Sequence, residues 1–251
     1  MNRELYEYCL RLGDTSLILS HRLSELCGHG PILEEDLALT NISLDLLGQT
    51  RIIYSYACEL QGNGANENDL AYKRDWYQFR NLLMAELPNG DFAKTILRQY
   101  FLSEYFGLVY ESLLKSTNEK LRTFADKSLR EVKYHIRHCK DWVLRLGLGT
   151  DISNSKLQLA TNELWDFCFD LFDIDNVEEK LFDEGIGPDY SVIKEKWFDQ
   201  ISKVLEESKI NVKEKSASLK SGSRSGRHTE HLGYILADMQ FLTRAYPNSK
   251  W

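Results

Sequence analysis

Only four prolines interrupt the 251 residues, which leaves room for long helices, because proline removes a backbone donor and clashes with the preceding turn. Cysteine is scarce and unpatterned: Cys9, Cys27, Cys58, Cys139 and Cys168 are odd in number and never spaced as C-x-x-C. That argues against a disulfide framework and a zinc site and for a reducing cytoplasm. No apolar run reaches the roughly 18 residues that a membrane span needs. The start, Met1-Asn2-Arg3-Glu4-Leu5, lacks the apolar core of a secretory leader. Positive charge is not in excess either; a formal net charge of −7 offers no basic footprint for nucleic acid.

What is present is helix-period patterning nearly throughout, with no internal repeat and no strand-like alternation of useful length. The length suits one large domain with an ample core, spanning 1–251. A first helix is predicted from Glu4 to Cys27, stopped by Gly28-His29-Gly30-Pro31. A second runs from Leu33 to Leu60, with acids in its first turn. A shorter piece follows from Asp69 to Glu86, then the break Pro88-Asn89-Gly90-Asp91, with Asp91 placed to cap the third helix, Phe92 to Lys115. The apolar residues of that helix spread beyond one stripe, so it is expected to be buried on two sides. A fourth helix runs from about Asn118 to Leu146. Further helices are predicted over Asn154–Phe172, Ser191–Glu207 and Thr229–Ala245, with a mobile loop over Ile210–Arg227. The class is all-α, a bundle of core helices over about 4–147 with additional helices over about 151–246.

The fourth helix carries the chemistry-bearing pair. Glu131 and His135 stand four apart and share a helix face. Carboxylate–imidazole pairs on facing helices are the building block of di-iron bundles, where each of two helices gives Glu-x-x-His and each of two others gives a Glu. Glu104 on the third helix fits such a set. The second helix does not: where a Glu-x-x-His is needed it has Asp45-Leu46-Leu47-Gly48-Gln49, so Leu46 takes the carboxylate slot and Gln49 the imidazole slot. On the fourth helix the residue three after Glu131 is Tyr134, one step short of His135. Satisfied buried pairs, Glu131 with His135 or with Arg98, and Asp45 with Gln49, account for the same residues without metal.

Two other patterns stand out. His228-Thr229-Glu230-His231 has H-x-x-H spacing, but Thr229 and Glu230 also suit a helix cap and first turn. Arg74, Gln78 and Asn81 recur at i, i+4, i+7, with Phe79 and Arg80 among them. They form either a rim that grips a polar ligand or a partner, or an ordinary solvated helix face.

Several segments taken together carry a resemblance. Leu10-Arg11-Leu12-Gly13-Asp14, Cys27-Gly28-His29, Asp36-Leu37-Ala38-Leu39, Leu44-Asp45-Leu46-Leu47-Gly48-Gln49, Pro88-Asn89-Gly90, Arg98-Gln99-Tyr100-Phe101, Glu131-Val132-Lys133-Tyr134-His135 and the run Gly226 to Gly233 are the motifs concerned. Over essentially its whole length the chain resembles the structural C subunits of bacterial phenylacetyl-CoA epoxidases, the multicomponent oxygenases of aerobic phenylacetate breakdown. The resemblance implies a ferritin-like fold. It implies a tight heteromer with a catalytic A subunit holding the di-iron centre, joined by a B subunit, with a separate reductase passing electrons from NADPH through FAD and iron–sulfur. The complex would convert phenylacetyl-CoA to its ring 1,2-epoxide with dioxygen, in the cytoplasm.

The catalytic relative carries Glu-Leu-Gly-His where this chain has Leu46-Leu47-Gly48-Gln49. The chain is therefore expected to hold no cofactor itself and to do no catalysis. Asp45, Gln49, Glu104, Glu131 and His135 are expected to be rebuilt as a polar network, and the resemblance implies that Arg74, Gln78, Phe79, Arg80 and Asn81 touch the CoA ester at or near the subunit boundary. The alternatives are a divergent ferritin-like oxidase acting on its own, with Glu104, Glu131 and His135 as ligands, and a homo-oligomeric helical protein without ligand.

Overall fold

The computed structural model describes residues 2–212, 220–247 and 249. Among them there is no strand, and the fold is all-α. In chain order the helices are α1 (Arg3–Ser24), α2 (Leu33–Gln61), α3 (Glu67–Tyr72), α4 (Leu83–Glu86), α5 (Phe92–Leu113), α6 (Glu119–Leu148), α7 (Asp151–Leu164), α8 (Asn176–Asp183), α9 (Tyr190–Glu207) and α10 (Glu230–Ala245). None is long and apolar enough to cross a membrane. Two compact units are distinguished: Met1–Pro88 with Gly222–Trp251, and Asn89–Ser221.

The first unit is built on α1 and α2, which pack antiparallel: Ser20 meets Ser43, while Gly13 meets Ile53 and Tyr54. Small side chains bring the two helices close. The Ser20 hydroxyl donates to the Ser43 carbonyl (2.8 Å), and the Ser43 hydroxyl donates back to the Ser20 carbonyl (2.9 Å). α1 buries almost its whole length behind an Asn2 cap that accepts from Leu5 N. α2 ends where Gly62 takes the left-handed conformation.

α2 is apolar on two opposed sides. Ile42, Leu46 and Ile53 are buried, while Leu33, Leu37, Leu44 and Leu47 face outward.

The single helical piece expected from Asp69 to Glu86 is instead α3, a 3₁₀ turn at Trp76–Gln78, and α4. Arg74 turns inward, and Asp75 restarts the chain with its backbone N–H donating to the Gln78 side chain (2.8 Å). α10 returns to this region. Gln240 donates to the carbonyls of Ala71 and Arg74 (3.0 Å each), and the loop before α10 presses Gly226, at φ 71°, onto the Tyr77 carbonyl. A side chain at Gly226 would be strained and would also collide there. Of the loop expected over Ile210–Arg227, residues 213–219 lie outside the described residues; Ser223–Ser225 forms an ordered 3₁₀ turn.

In the second unit α5 packs against α6, α7 and α9 and is buried along nearly its whole length. Asp91 caps it by accepting from Lys94 N (3.1 Å), and Asn118 caps α6 by accepting from Leu121 N (3.0 Å). α6 buries one stripe, Leu121, Ala125, Ser128, Val132, His135, Cys139 and Val143. An aromatic cluster of Phe101, Trp165, Phe172, Trp197 and Phe198 ties α5 to α9. The Trp197 indole N–H donates to the Phe101 carbonyl (2.9 Å), which satisfies its one polar atom. The helix predicted over Asn154–Phe172 is α7 followed by 3₁₀ turns, and α8 forms after a cap at Asp175 that the periodicity did not reveal.

Gly13 reports on the α1–α2 packing. A Cβ there would run into the ring of Tyr54, whose hydroxyl is held by Asp14 and Arg74, and into the Ile53 methyl. Replacing a helical Gly by Ala gains up to about 1 kcal/mol of propensity, whereas overpacking a fixed contact costs about 1–3 kcal/mol. Gly13→Ala is expected to lower the thermal midpoint by a few degrees; a rise would mean that the helices part without cost.

Candidate functional site

Two buried polar clusters hold the first unit together from within. In the first, Asp14 of α1 is fully buried and receives Arg74 and the Tyr54 hydroxyl. Arg74 Nη1 reaches the second carboxylate oxygen at 3.0 Å, and the Arg80 backbone N–H donates to that oxygen at 2.7 Å. The rest of the guanidinium is used on its own neighbourhood: Nε donates to the Leu70 carbonyl (2.6 Å), Nη1 to that of Gln78 (3.1 Å), and its central carbon lies 4.3 Å from the centre of the Phe79 ring. Burial drives the Tyr54 phenol far above its ordinary value, so it stays a neutral donor. Burial works against the Arg74 charge, yet Asp14, Tyr54 and Tyr6 together more than offset it and the arginine stays protonated. This is a closed knot in which each charged group finds its partner.

In the second cluster the fully buried Glu86 of α4 accepts from the Thr229 backbone N–H and from Asn81 (2.9 Å), and its carboxyl group lies 3.0 Å from His228 Nδ1. His228 Nε2 lies 3.0 Å from the Phe79 carbonyl, which can only accept, so this nitrogen carries a proton. The Glu86 main-chain carbonyl receives Arg22 through Nε (3.0 Å) and Nη2 (2.8 Å). Thr229 caps α10 by accepting from His231 N (3.3 Å), with Glu230 as its first residue. His228-x-x-His231 is thus a helix start whose first histidine points inward to a carboxylate.

Of the predicted rim, Arg74, Phe79 and Asn81 are buried and occupied by their own chain. Arg80 pairs with Glu7 (2.6 Å), and Gln78 stays exposed. The shared helical face assumed for them is absent, because the helix breaks at Lys73.

The residues of the expected liganding shell are divided between the units. On α2, Gln49 and Leu46 are buried and Asp45 is half-buried. In the second unit, Glu104 and His135 are buried and Glu131 is half-buried. Burial raises the Glu104 carboxyl above its ordinary value, opposed by the nearby Tyr100 hydroxyl and by Lys140, with Glu111 adding to the rise. Burial likewise pushes the Tyr100 phenol up, helped by the Glu104 charge.

The donor chemistry does not fit a di-iron pair. A hydrocarbon and an amide stand at Leu46 and Gln49, and among the described residues no three His, Cys, Asp or Glu side chains gather closely enough to hold a metal ion.

Asp14, Tyr54, Glu86 and the His228–Glu86 pairing were not singled out from the sequence. Asp14 lies 60 residues from Arg74, and Glu86 lies 142 from His228. The one available signal was the polar run Gly226 to His231 opening a helix.

Comparison with known proteins matches residues 1–251 to the family described as phenylacetic acid catabolic protein. The chain is 46% identical over 248 residues to the C subunit of 1,2-phenylacetyl-CoA epoxidase from Escherichia coli K12, and the match covers 99% of each chain. An all-α, ferritin-like fold accords with that match.

Two outcomes follow from the buried acids. His228→Ala leaves the buried Glu86 carboxyl group without its imidazole partner, a loss of about 1–3 kcal/mol for a buried polar group left unpaired. Urea unfolding should show it, with Glu86→Gln costing less; an unchanged midpoint would show that the pair contributes nothing. Glu104 has the opposite sign. A carboxyl raised on folding adds stability below its unfolded value and loses it as pH rises through the folded one. Glu104→Gln should therefore match the parent at about pH 4 and melt higher at about pH 8. A variant less stable than the parent at the higher pH contradicts this.

Proposed function

The chain belongs to the phenylacetic acid catabolic protein family, and from that premise we propose that it is the non-catalytic structural subunit of a phenylacetyl-CoA epoxidase. It pairs with and stabilises a di-iron catalytic A subunit in aerobic phenylacetate catabolism. A B subunit joins the pair to form the oxygenase, and a reductase serves it transiently. The observation that carries this reading is the pair of side chains at Leu46 and Gln49, where a family member that binds iron needs a carboxylate and an imidazole. Leucine has no lone pair to offer, and a neutral amide supplies no charge to balance two cations.

A chain that has lost its ligands remains useful through its surfaces. Burying apolar helix faces against a homologous bundle contributes roughly 25 cal/mol per Å² before association costs, enough to hold a catalytic sibling in its working geometry. The former ligand positions Asp45, Gln49, Glu104, Glu131 and His135 then serve as polar filling, which stabilises only when fully hydrogen-bonded. The relative's name, that of one subunit of an epoxidase, supports membership of such an assembly.

Elemental analysis of the chain expressed alone, beside its complex with the A subunit, tests the reading. No stoichiometric iron and no turnover are expected from the chain alone, with two irons per A subunit in the complex. Iron bound to the isolated chain and lost in Glu131→Ala or His135→Ala would replace the scaffold with a self-sufficient oxidase.

A further inference from the structure

We infer that the outward face of α2, from Leu33 to Gly48, is the surface on which the catalytic subunit docks; the inference rests on the subunit reading above. At 100° per residue, Leu33, Leu37, Leu44, Leu47 and Gly48 fall within an arc of about 100°. That arc lies opposite the one that buries Ile42, Leu46 and Ile53 against the rest of its unit. The four leucines are 43–71% exposed, and Ile32 at the helix entrance adds a fifth aliphatic group at 52%.

From Leu33 to Leu47 the stripe is about 21 Å long at 1.5 Å per residue, and only Thr40 interrupts its apolar character. It leaves on the order of 500 Å² of aliphatic surface in water, at the upper end of what a monomer tolerates. It is also close to the apolar part of the roughly 800 Å² that each partner gives to a standard interface. Glu34 and Asp45 border one side, Asp36 borders the other and Arg51 ends the stripe, which gives the apolar-centre, polar-rim plan of an interface.

A second observation points the same way. Gly48 lies in the interior of α2, and a Cβ built there meets nothing within 4 Å. No packing within the chain requires this glycine, although glycine weakens a helix interior relative to alanine. Its place at the edge of the leucine stripe lets a second backbone approach α2 closely. The occupant is accordingly another helical bundle presenting an uncharged helix face with basic residues at its flank, to match the mainly acidic border. In the proposed assembly that is the A subunit.

The test uses the full chain and the A subunit, with affinity measured by calorimetry and folding of the chain alone by thermal melting. Leu37→Glu with Leu44→Glu should weaken pairing at least 100-fold while the chain alone melts as the parent does. Phe241→Glu, on the exposed face of α10, should pair normally. Gly48→Ala should raise the melting midpoint of the chain alone by roughly 2–4 °C and weaken pairing. Parent-like pairing by the double leucine variant, or loss of pairing through Phe241→Glu alone, overturns the assignment of α2 and leaves the subunit reading standing. So does a double variant that only abolishes self-association of the chain. A parent chain that never pairs with the A subunit defeats both.

Discussion

The Glu86 carboxyl group is met by hydrogen-bonding partners from three directions in a place where water does not reach it. A buried polar group of this kind is tolerable only when its partners are present. Two of its three partners, His228 and Thr229, belong to a segment more than 140 residues further along the chain. The main-chain carbonyl of the same residue also anchors Arg22 of α1. α1, α4 and the start of α10 are thereby locked to one residue. The Asp14–Arg74–Tyr54 knot does the same for α1, α2 and the segment after α3. Apolar packing supplies the bulk of the driving force in this unit, but these two carboxylates set which segments meet.

The second unit solves its packing differently. Its central helix α5 is surrounded by neighbours, and its contact with α9 is largely aromatic, with the Trp197 indole also donating to the Phe101 carbonyl. Glu104 sits within this largely apolar setting and is held toward its neutral form by it. On the scaffold reading, Leu46 and Gln49 express one trend by separate means: a ligand replaced by hydrocarbon and a ligand replaced by an amide.

The sequence was informative where local chemistry decides. The bounds of α2, α5, α6, α9 and α10 were legible to within a few residues, because caps at Asp91, Asn118 and Thr229 and the glycine after α2 act within one turn of the chain. It failed where a distant partner decides. The region 69–86 has helical composition, yet Arg74 satisfies Asp14 by leaving the helix path, and no local pattern announces that. The face expected to grip a ligand was lost for the same reason. The His228–Glu86 pair was hidden because it depends on a fold that returns its later segment to its start.

Because Asn89–Ser221 interrupts the first unit in sequence, the two units cannot mature in the same order in which their residues are made. During synthesis α1, α2 and α4 leave the ribosome without the loop and helix that complete Glu86, and they wait while more than a hundred further residues are translated. Over that interval the aliphatic outer stripe of α2 and the unsatisfied acid of α4 are both open to the cell. The nascent chain therefore presents its stickiest surface well before its first unit can close, so chaperone engagement, or early capture by a partner that covers α2, would matter most in that window.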